Sequence, residues 1–296
     1  MEQAAGVAQV QIVNPGYPDP FGPNERRTGA APPAPSGTRY GDHMKTPLAA
    51  EATLGLQREF GTGMVLSVDG VWARGWHLLA AHDLNYPNLD DPTRRRPDPR
   101  FQAITAYETR GNSWYSGLQT AFRCQYASRY SCYVAYTLSS SERDTEDFRF
   151  VPQDQRDYAA DRGPGANDTR HRLAANATID LPLALRATGV VTARSALPYN
   201  ITTGGDDNGD KVTTTDRPAG VGRNSERGDP FWQADIRLSR SFRVQRARLD
   251  VLADVFNLTN RRNWIGHEGN IRSAQFRKPT AAAGAREIQL GIRVEY

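Results

Sequence analysis

Near the end of the chain Ile288, Leu290, Ile292, Val294 and Tyr296 alternate with Glu287, Gln289, Arg293 and Glu295. Successive side chains of a strand point to opposite faces, so this spacing predicts a strand with one apolar and one polar face. The same period recurs upstream in pairs. Leu54, Leu56 and Phe60 run into Gly61-Thr62-Gly63, and Met64, Leu66, Val68 and Trp72 run out of it. Pairing about Thr62 sets Phe60 beside Met64 and Leu56 beside Val68. A second pair, symmetric about Ser128, sets Leu118, Thr120, Phe122, Cys124 and Tyr126 against Leu138, Tyr136, Val134, Cys132 and Tyr130. A third turns at Leu181-Pro182-Leu183, with Leu173, Ala175, Ala177 and Ile179 beside Val191, Gly189, Ala187 and Leu185. The fourth turns at Gln245-Arg246 and sets Ala234, Ile236, Leu238 and Phe242 beside Asn257, Val255, Ala253 and Leu249.

Nine strands follow from this pattern: 48–60, 63–76, 115–126, 130–141, 170–181, 183–195, 231–243, 247–258 and 286–296. Connections within pairs are short. Those between pairs, 77–114, 142–169, 196–230 and 259–285, are long and rich in Asp, Asn, Gly, Pro and Arg. Alternating short and long connections define an all-β, antiparallel, up-and-down transmembrane β-barrel with tight periplasmic turns and long extracellular loops. Polar residues such as Glu51, Arg123, Arg237 and Arg293 are expected to line its interior. Trp72, Trp76, Trp114, Trp232 and Trp264 fall toward the long connections, while Phe60, Tyr126, Tyr130, Phe242 and Tyr296 fall at the short turns. Aromatic rings at both rims suit the two membrane interfaces. Residues 1–47 are expected to be an extracellular loop region, and 48–296 the C-terminal transmembrane barrel strands. Counting strand directions makes the first and last of the nine parallel, so they cannot close on each other. Either Val7–Val13 supplies a tenth strand, or the chain is the back part of a larger barrel.

Composition alone points elsewhere. Only 38% of residues are hydrophobic, and the mean hydropathy of −0.65 resembles that of a soluble chain. Barrel strands escape that measure, because every second residue and every loop is polar. No apolar stretch approaches the ~18 residues of a membrane helix, and Met1–Val10 does not read as an export signal. The net charge of +4, from 37 basic and 33 acidic residues, is dispersed, which argues against a nucleic-acid partner. Zinc, phosphate-binding and nucleophile-elbow motifs are missing, so no catalytic residue is assigned and no enzymatic role is expected. Cys124 and Cys132 fall opposite each other in the predicted register, where a disulfide and a pair of packed thiols both remain open.

The terminal strand, with Ile288, Leu290, Ile292, Val294 and the C-terminal aromatic Tyr296, reads as a docking strand for the barrel-assembly machinery. A further set of runs carries a family resemblance. Asp254-Val-Phe-Asn-Leu-Thr-Asn260 followed by Arg262-Asn263 resembles the penultimate-strand motif of TonB-dependent outer-membrane transporters, of the Oar-like group. Tyr115-Ser-Gly-Leu-Gln119, Ala135-Tyr-Thr-Leu-Ser-Ser140, Asp168-Thr-Arg-His-Arg172, Leu197-Pro-Tyr-Asn-Ile-Thr-Thr-Gly204 and Asp216-Arg-Pro-Ala-Gly-Val-Gly-Arg-Asn224 agree with it in order. The resemblance implies part of a larger barrel in the Gram-negative outer membrane that imports large solutes. It also implies an N-terminal plug through which TonB acts; this chain shows neither plug nor TonB box, so TonB is a partner only through a plug absent from it. A complete ten-stranded porin or adhesin and a soluble extracellular β-sandwich are the alternatives.

One loop carries candidate metal chemistry. Asp206, Asn208 and Asp210 place hard oxygen donors at alternate positions, as calcium loops do. Lys211 stands where such loops carry glycine and Arg217 where they carry a bidentate glutamate, but Asp207 and Asp216 offer further carboxylates. A solvated turn rich in Asx residues is the plainer reading. His171 is read as a loop-facing histidine at a strand start, and the Arg227-Gly228-Asp229 triplet as a chance run in a polar loop, neither with chemistry of its own.

Overall fold

A computed structural model of the chain describes residues 34–42, 44–126 and 129–296, the side chain of Val244 excepted. The expected strand at Val7–Val13 lies outside these residues. In chain order the strands are β1 (Gly37–Tyr40), β2 (Leu48–Phe60), β3 (Met64–Asp83), β4 (Ile104–Tyr126), β5 (Tyr130–Arg143), β6 (Gly163–Pro164), β7 (His171–Leu181), β8 (Leu185–Arg194), β9 (Pro198–Tyr199), β10 (Glu226–Arg227), β11 (Phe231–Val244), β12 (Ala247–Phe256), β13 (Trp264–His267), β14 (Pro279–Ala282) and β15 (Glu287–Glu295). Nine of them form one antiparallel wall in the order β15-β12-β11-β8-β7-β5-β4-β3-β2. The wall is open, with β15 and β2 at its two ends. Eight antiparallel steps separate them, so they run in the same direction, as the strand count requires.

A single row shows how the wall is built. Phe60 pairs with Met64, then Cys124, Cys132, Ala177, Gly189, Ile236, Val255 and Ile288, one residue from each of the nine strands. The neighbouring row, on the other face, is Gln125, Ser131, Thr178, Thr188, Arg237, Asp254 and Gln289. Cross-strand partners share a face, so an apolar surface and a polar one run the width of the sheet. The apolar face stays uncovered, with Leu54 81% and Leu290 82% exposed. A second sheet packed against it, as in a sandwich, is not present among the described residues. On the polar face Arg237 grips Asp254 with two hydrogen bonds of 2.6 and 2.9 Å. Cys124 and Cys132, with Cα atoms 5.0 Å apart, are joined by a disulfide.

Three of the four short turns keep the expected register. Gly63, at φ 85°, is obligatory in the first, because a Cβ there would collide with the Gln125 carbonyl. The third differs. Leu181 pairs with Leu185 and Ala175 with Val191, two residues out of step with the expected pairing. Leu183 and Ala184 both adopt left-handed backbone, φ 64° and 54°, and make a three-residue turn that their identities do not announce.

A larger departure lies at the opposite end. Nearly half of the expected loop 77–114 is strand: β3 continues to Asp83 and β4 begins at Ile104. Two register shifts interrupt this hairpin, one on either side of Leu78, and beyond them Leu79 and Thr109 resume the register of Gly75 and Ser113. His77 takes φ 57° at the irregularity. Beyond it the adjacent residues Ala80 and Ala81 are both buried. Neighbours on a strand face opposite ways, so the extension is covered on both sides. β1 lies parallel along Ile104–Tyr107, the stretch of β4 that β5 does not reach. Trp72, Trp76 and Trp114 therefore stand partway along strands rather than at their ends, with the Trp114 ring against the Arg74 and Arg162 guanidiniums at 3.8 and 4.1 Å.

Candidate functional site: the polar loop cap

Loops 84–103 and 144–170 pack on the β3–β4 extension, loop 195–230 joins them, and loop 259–285 is held to loop 195–230 through Thr202. Apart from Cys124, the buried apolar residues described are Ala80, Ala81, Ala106, Ile201 and the prolines Pro87, Pro152 and Pro198, whereas buried polar residues are more numerous. Hydrogen bonds rather than apolar contacts therefore close this cap, and each buried group needs a partner.

Asp83 begins the network at the tip of β3. Its Oδ1 accepts from the amides of Asn85 and Ile104 at 2.9 and 2.8 Å, and its Oδ2 pairs with Arg96 at 2.6 Å. Arg96 also donates to the Gly209 carbonyl, 3.0 Å away, joining loop 84–103 to loop 195–230. Loop 144–170 docks through the Ala81 amide to the Phe150 carbonyl, the Tyr158 hydroxyl to the Ala81 carbonyl, and the Asp83 amide to Gln155.

Asp161 is the second hub. Its carboxylate takes the Arg217 guanidinium and the Gln153 amide, and its carbonyl accepts from Arg223 at 2.7 Å. Arg223, fully buried, also reaches Glu146 and the carbonyls of Arg143 and Gly163. Asp168 holds the Ser141 amide at 2.8 Å and Arg227 at 2.6 Å. Asn257 and Asn263 do the same near β11 and β12. The Asn257 side chain bridges to Arg261 and Gly284, and Asn263 clasps both main-chain polar groups of Trp232. The polar residues in the motif runs thus close loops. Arg227 and Asp229 of the Arg-Gly-Asp triplet are also engaged, Asp229 with His267 at 3.0 Å. The His171 Nδ1 and the Tyr136 hydroxyl share a hydrogen bond of 2.8 Å.

The candidate metal residues lie in this cap. Carboxylate oxygens of Asp206, Asp210 and Asp216 fall within 4.8 Å of one another. Asp206 accepts from the Lys211 amide at 3.2 Å through Oδ2, and its buried Oδ1 has no hydrogen-bond partner. Asp210 accepts from the Val212 amide at 2.7 Å and from Asn208 at 3.2 Å. Asn208 is engaged as a brace: its amide nitrogen donates to the Gln153 carbonyl at 2.8 Å, and its oxygen accepts from the Asp210 amide at 2.9 Å. Asp216 is completely buried; the Asp207 amide lies near its carboxylate but outside hydrogen-bonding geometry, so neither oxygen has a completed hydrogen bond. Burial, with Asp210, Asp207 and Asp206 nearby, pushes its carboxyl up to about 6, and the Asp207 amide offsets this only in part. Burial raises Asp210 as well. Asp207 is exposed and outside the triad.

This architecture, a two-faced antiparallel wall with short turns at one end and a folded cap at the other, defines an outer-membrane barrel protein. The chain matches the family model of the outer membrane beta barrel domain over residues 2–222 and 219–289, and it belongs to that family. Its place is the Gram-negative outer membrane. No curated protein matches it. Among solved structures, the outer membrane transporter YddB from Escherichia coli is similar, with a TM-score of 0.61 at 16% identity over 87% of this chain and 34% of that one. The FrpB iron transporter from Neisseria meningitidis gives 0.52 at 11% identity over 86% and 32%, and BauA, the ferric preacinetobactin receptor from Acinetobacter baumannii, 0.51 at 13% over 82% and 29%. At such identities the fold is what is shared. The chain spans about a third of the length of these proteins.

Proposed function

We propose that residues 48–296 form part of the wall of a TonB-dependent outer-membrane transporter for large solutes. The observation that carries this reading is the open nine-strand wall, whose apolar and polar faces are continuous from β2 to β15. An unpaired strand edge in lipid leaves main-chain groups without partners, so the edges of β2 and β15 call for further strands, and a barrel of more than nine strands is wide. Glu51, Arg123, Arg237 and Arg293 belong to its interior, and the loop cap faces outward, over the route of the solute. TonB acts in this reading through a plug that residues 48–296 do not supply, and the role is passage rather than catalysis. The free edge of β15, with Ile288, Leu290, Ile292, Val294 and Tyr296, is the surface the assembly machinery would pair with during insertion.

The test uses the full-length protein that carries this chain. It should fractionate with the outer membrane as a band whose gel mobility changes on heating. Deleting its gene, or TonB, should remove the same extracellular solutes from the cell's metabolite profile. A soluble, heat-insensitive product, or a profile untouched by either deletion, would overturn the reading.

A further inference from the structure

We propose that Asp206, Asp210 and Asp216 bind one divalent cation, calcium, which locks loop 195–230 into the cap. Three carboxylates gathered within 4.8 Å are not by themselves a site, since acidic surface clusters are common. What distinguishes this one is Asp216, which is 0% exposed with both oxygens unpartnered. A carboxylate withdrawn from water needs a counter-charge or a set of donors, and the described residues bring it no counter-charge and no completed hydrogen bond, the Asp207 amide lying nearby. The adjacent guanidinium, Arg217, turns to Asp161 and the Val221 carbonyl. Arg96, on the Gly209 side, is committed to Asp83 and two carbonyls. The buried Oδ1 of Asp206 and the buried Thr215 hydroxyl are also without partners.

The donor chemistry selects the ion. The triad offers only carboxylate oxygens on an irregular loop, with no imidazole or thiolate, which disfavours zinc and the softer transition metals. Calcium accepts uneven oxygen shells, whereas magnesium demands a near-ideal octahedron. The elements that position the triad also link it to the rest of the cap. Asn208 braces Asp210 and reaches the Gln153 carbonyl, and Arg217, next to Asp216, is held by Asp161. An ion at the triad would therefore fasten loop 195–230 against loop 144–170. The site stands whatever solute the barrel carries.

Calorimetry decides it. The full-length protein, purified in detergent, stripped with EDTA and dialysed free of chelator, is titrated with CaCl2 and separately with MgCl2. One calcium per chain is expected, at least tenfold tighter than magnesium. Asp206→Asn keeps the acceptor for Lys211 and should weaken calcium tenfold or more; Asp216→Asn should do the same, and Asp207→Asn should not. Limited proteolysis in loop 195–230 should slow with calcium in the parent and not in Asp206→Asn. No calcium heat at millimolar concentration, equal affinity for magnesium, or unchanged affinity in Asp206→Asn would overturn the assignment. Because Asp206 is only half-buried, a folding defect confined to Asp216→Asn leaves the test intact.

Discussion

Arg217 and Asp161, 56 residues apart in the chain, form an ion pair with side chains only 5% and 1% exposed. It clamps two loops that share no strand. Removing one partner of a buried pair strands the other, at a cost of about 3–5 kcal/mol. Arg217→Ala should therefore loosen the cap while the wall stays folded. Hydrogen exchange at 153–164 and 216–224 should rise at least a hundredfold, with the β7–β12 amides unchanged. Uniform loss of protection would show instead that cap and wall unfold together.

The two faces of the wall should answer differently to the same charge. Ile236 lies in the apolar row and Thr188 in the polar row beside it. Arginine facing lipid near the bilayer midplane costs about 2–4 kcal/mol. Ile236→Arg should lower resistance to urea unfolding in the membrane by that order, and Thr188→Arg by under about 1 kcal/mol. Equal effects would contradict the assignment of faces.

The Cys124–Cys132 disulfide closes a hairpin only eight residues apart. A loop so short constrains the unfolded chain by at most about 2–3 kcal/mol. Protein unfolded without reductant should take up no thiol label, and two labels after reduction. Cys132→Ser should still reach the outer membrane, with slightly lower heat resistance.

Asn257 combines left-handed backbone, φ 50°, with hydrogen bonds to Arg261 and Gly284. Asn257→Ala loses those bonds and places a Cβ where asparagine is better tolerated, at about 2–4 kcal/mol. The turn after β12 should then be cut by protease between 258 and 263. Asn257→Gly, which restores the backbone but not the bonds, should recover part of that loss.

The wall was legible because lipid imposes a strict rule. With one face in hydrocarbon, a period of two must hold, and Phe60 with Met64 and Cys124 with Cys132 pair as the alternation implies. Legibility ended where that rule stops. Beyond Leu79 both faces of the hairpin are covered, so Ala80 and Ala81 carry no alternation and read as loop. Leu183 and Ala184 bend a turn without glycine or asparagine, which concealed a shift of two residues. In the cap, Asp206 and Asp210 could be picked out by spacing, and Asp216 lay in view as a further carboxylate. Its complete burial could not be read, because it depends on how loops distant in sequence fold together. The roles of Asp161 and Arg223 left no local signal, since their partners are long-range loop groups.

The two register shifts beside Leu78 cancel, and that has a mechanical result. Since the hairpin above them regains the index of the strands below, Asp83 and Ala81 stand at fixed positions on the same frame as the membrane wall. The loops tied to those residues are rigged to a mast rather than hung on hinges. A tilt of the wall at β3 and β4 therefore carries Asp83, Ala81 and the loop groups hydrogen-bonded to them along with it.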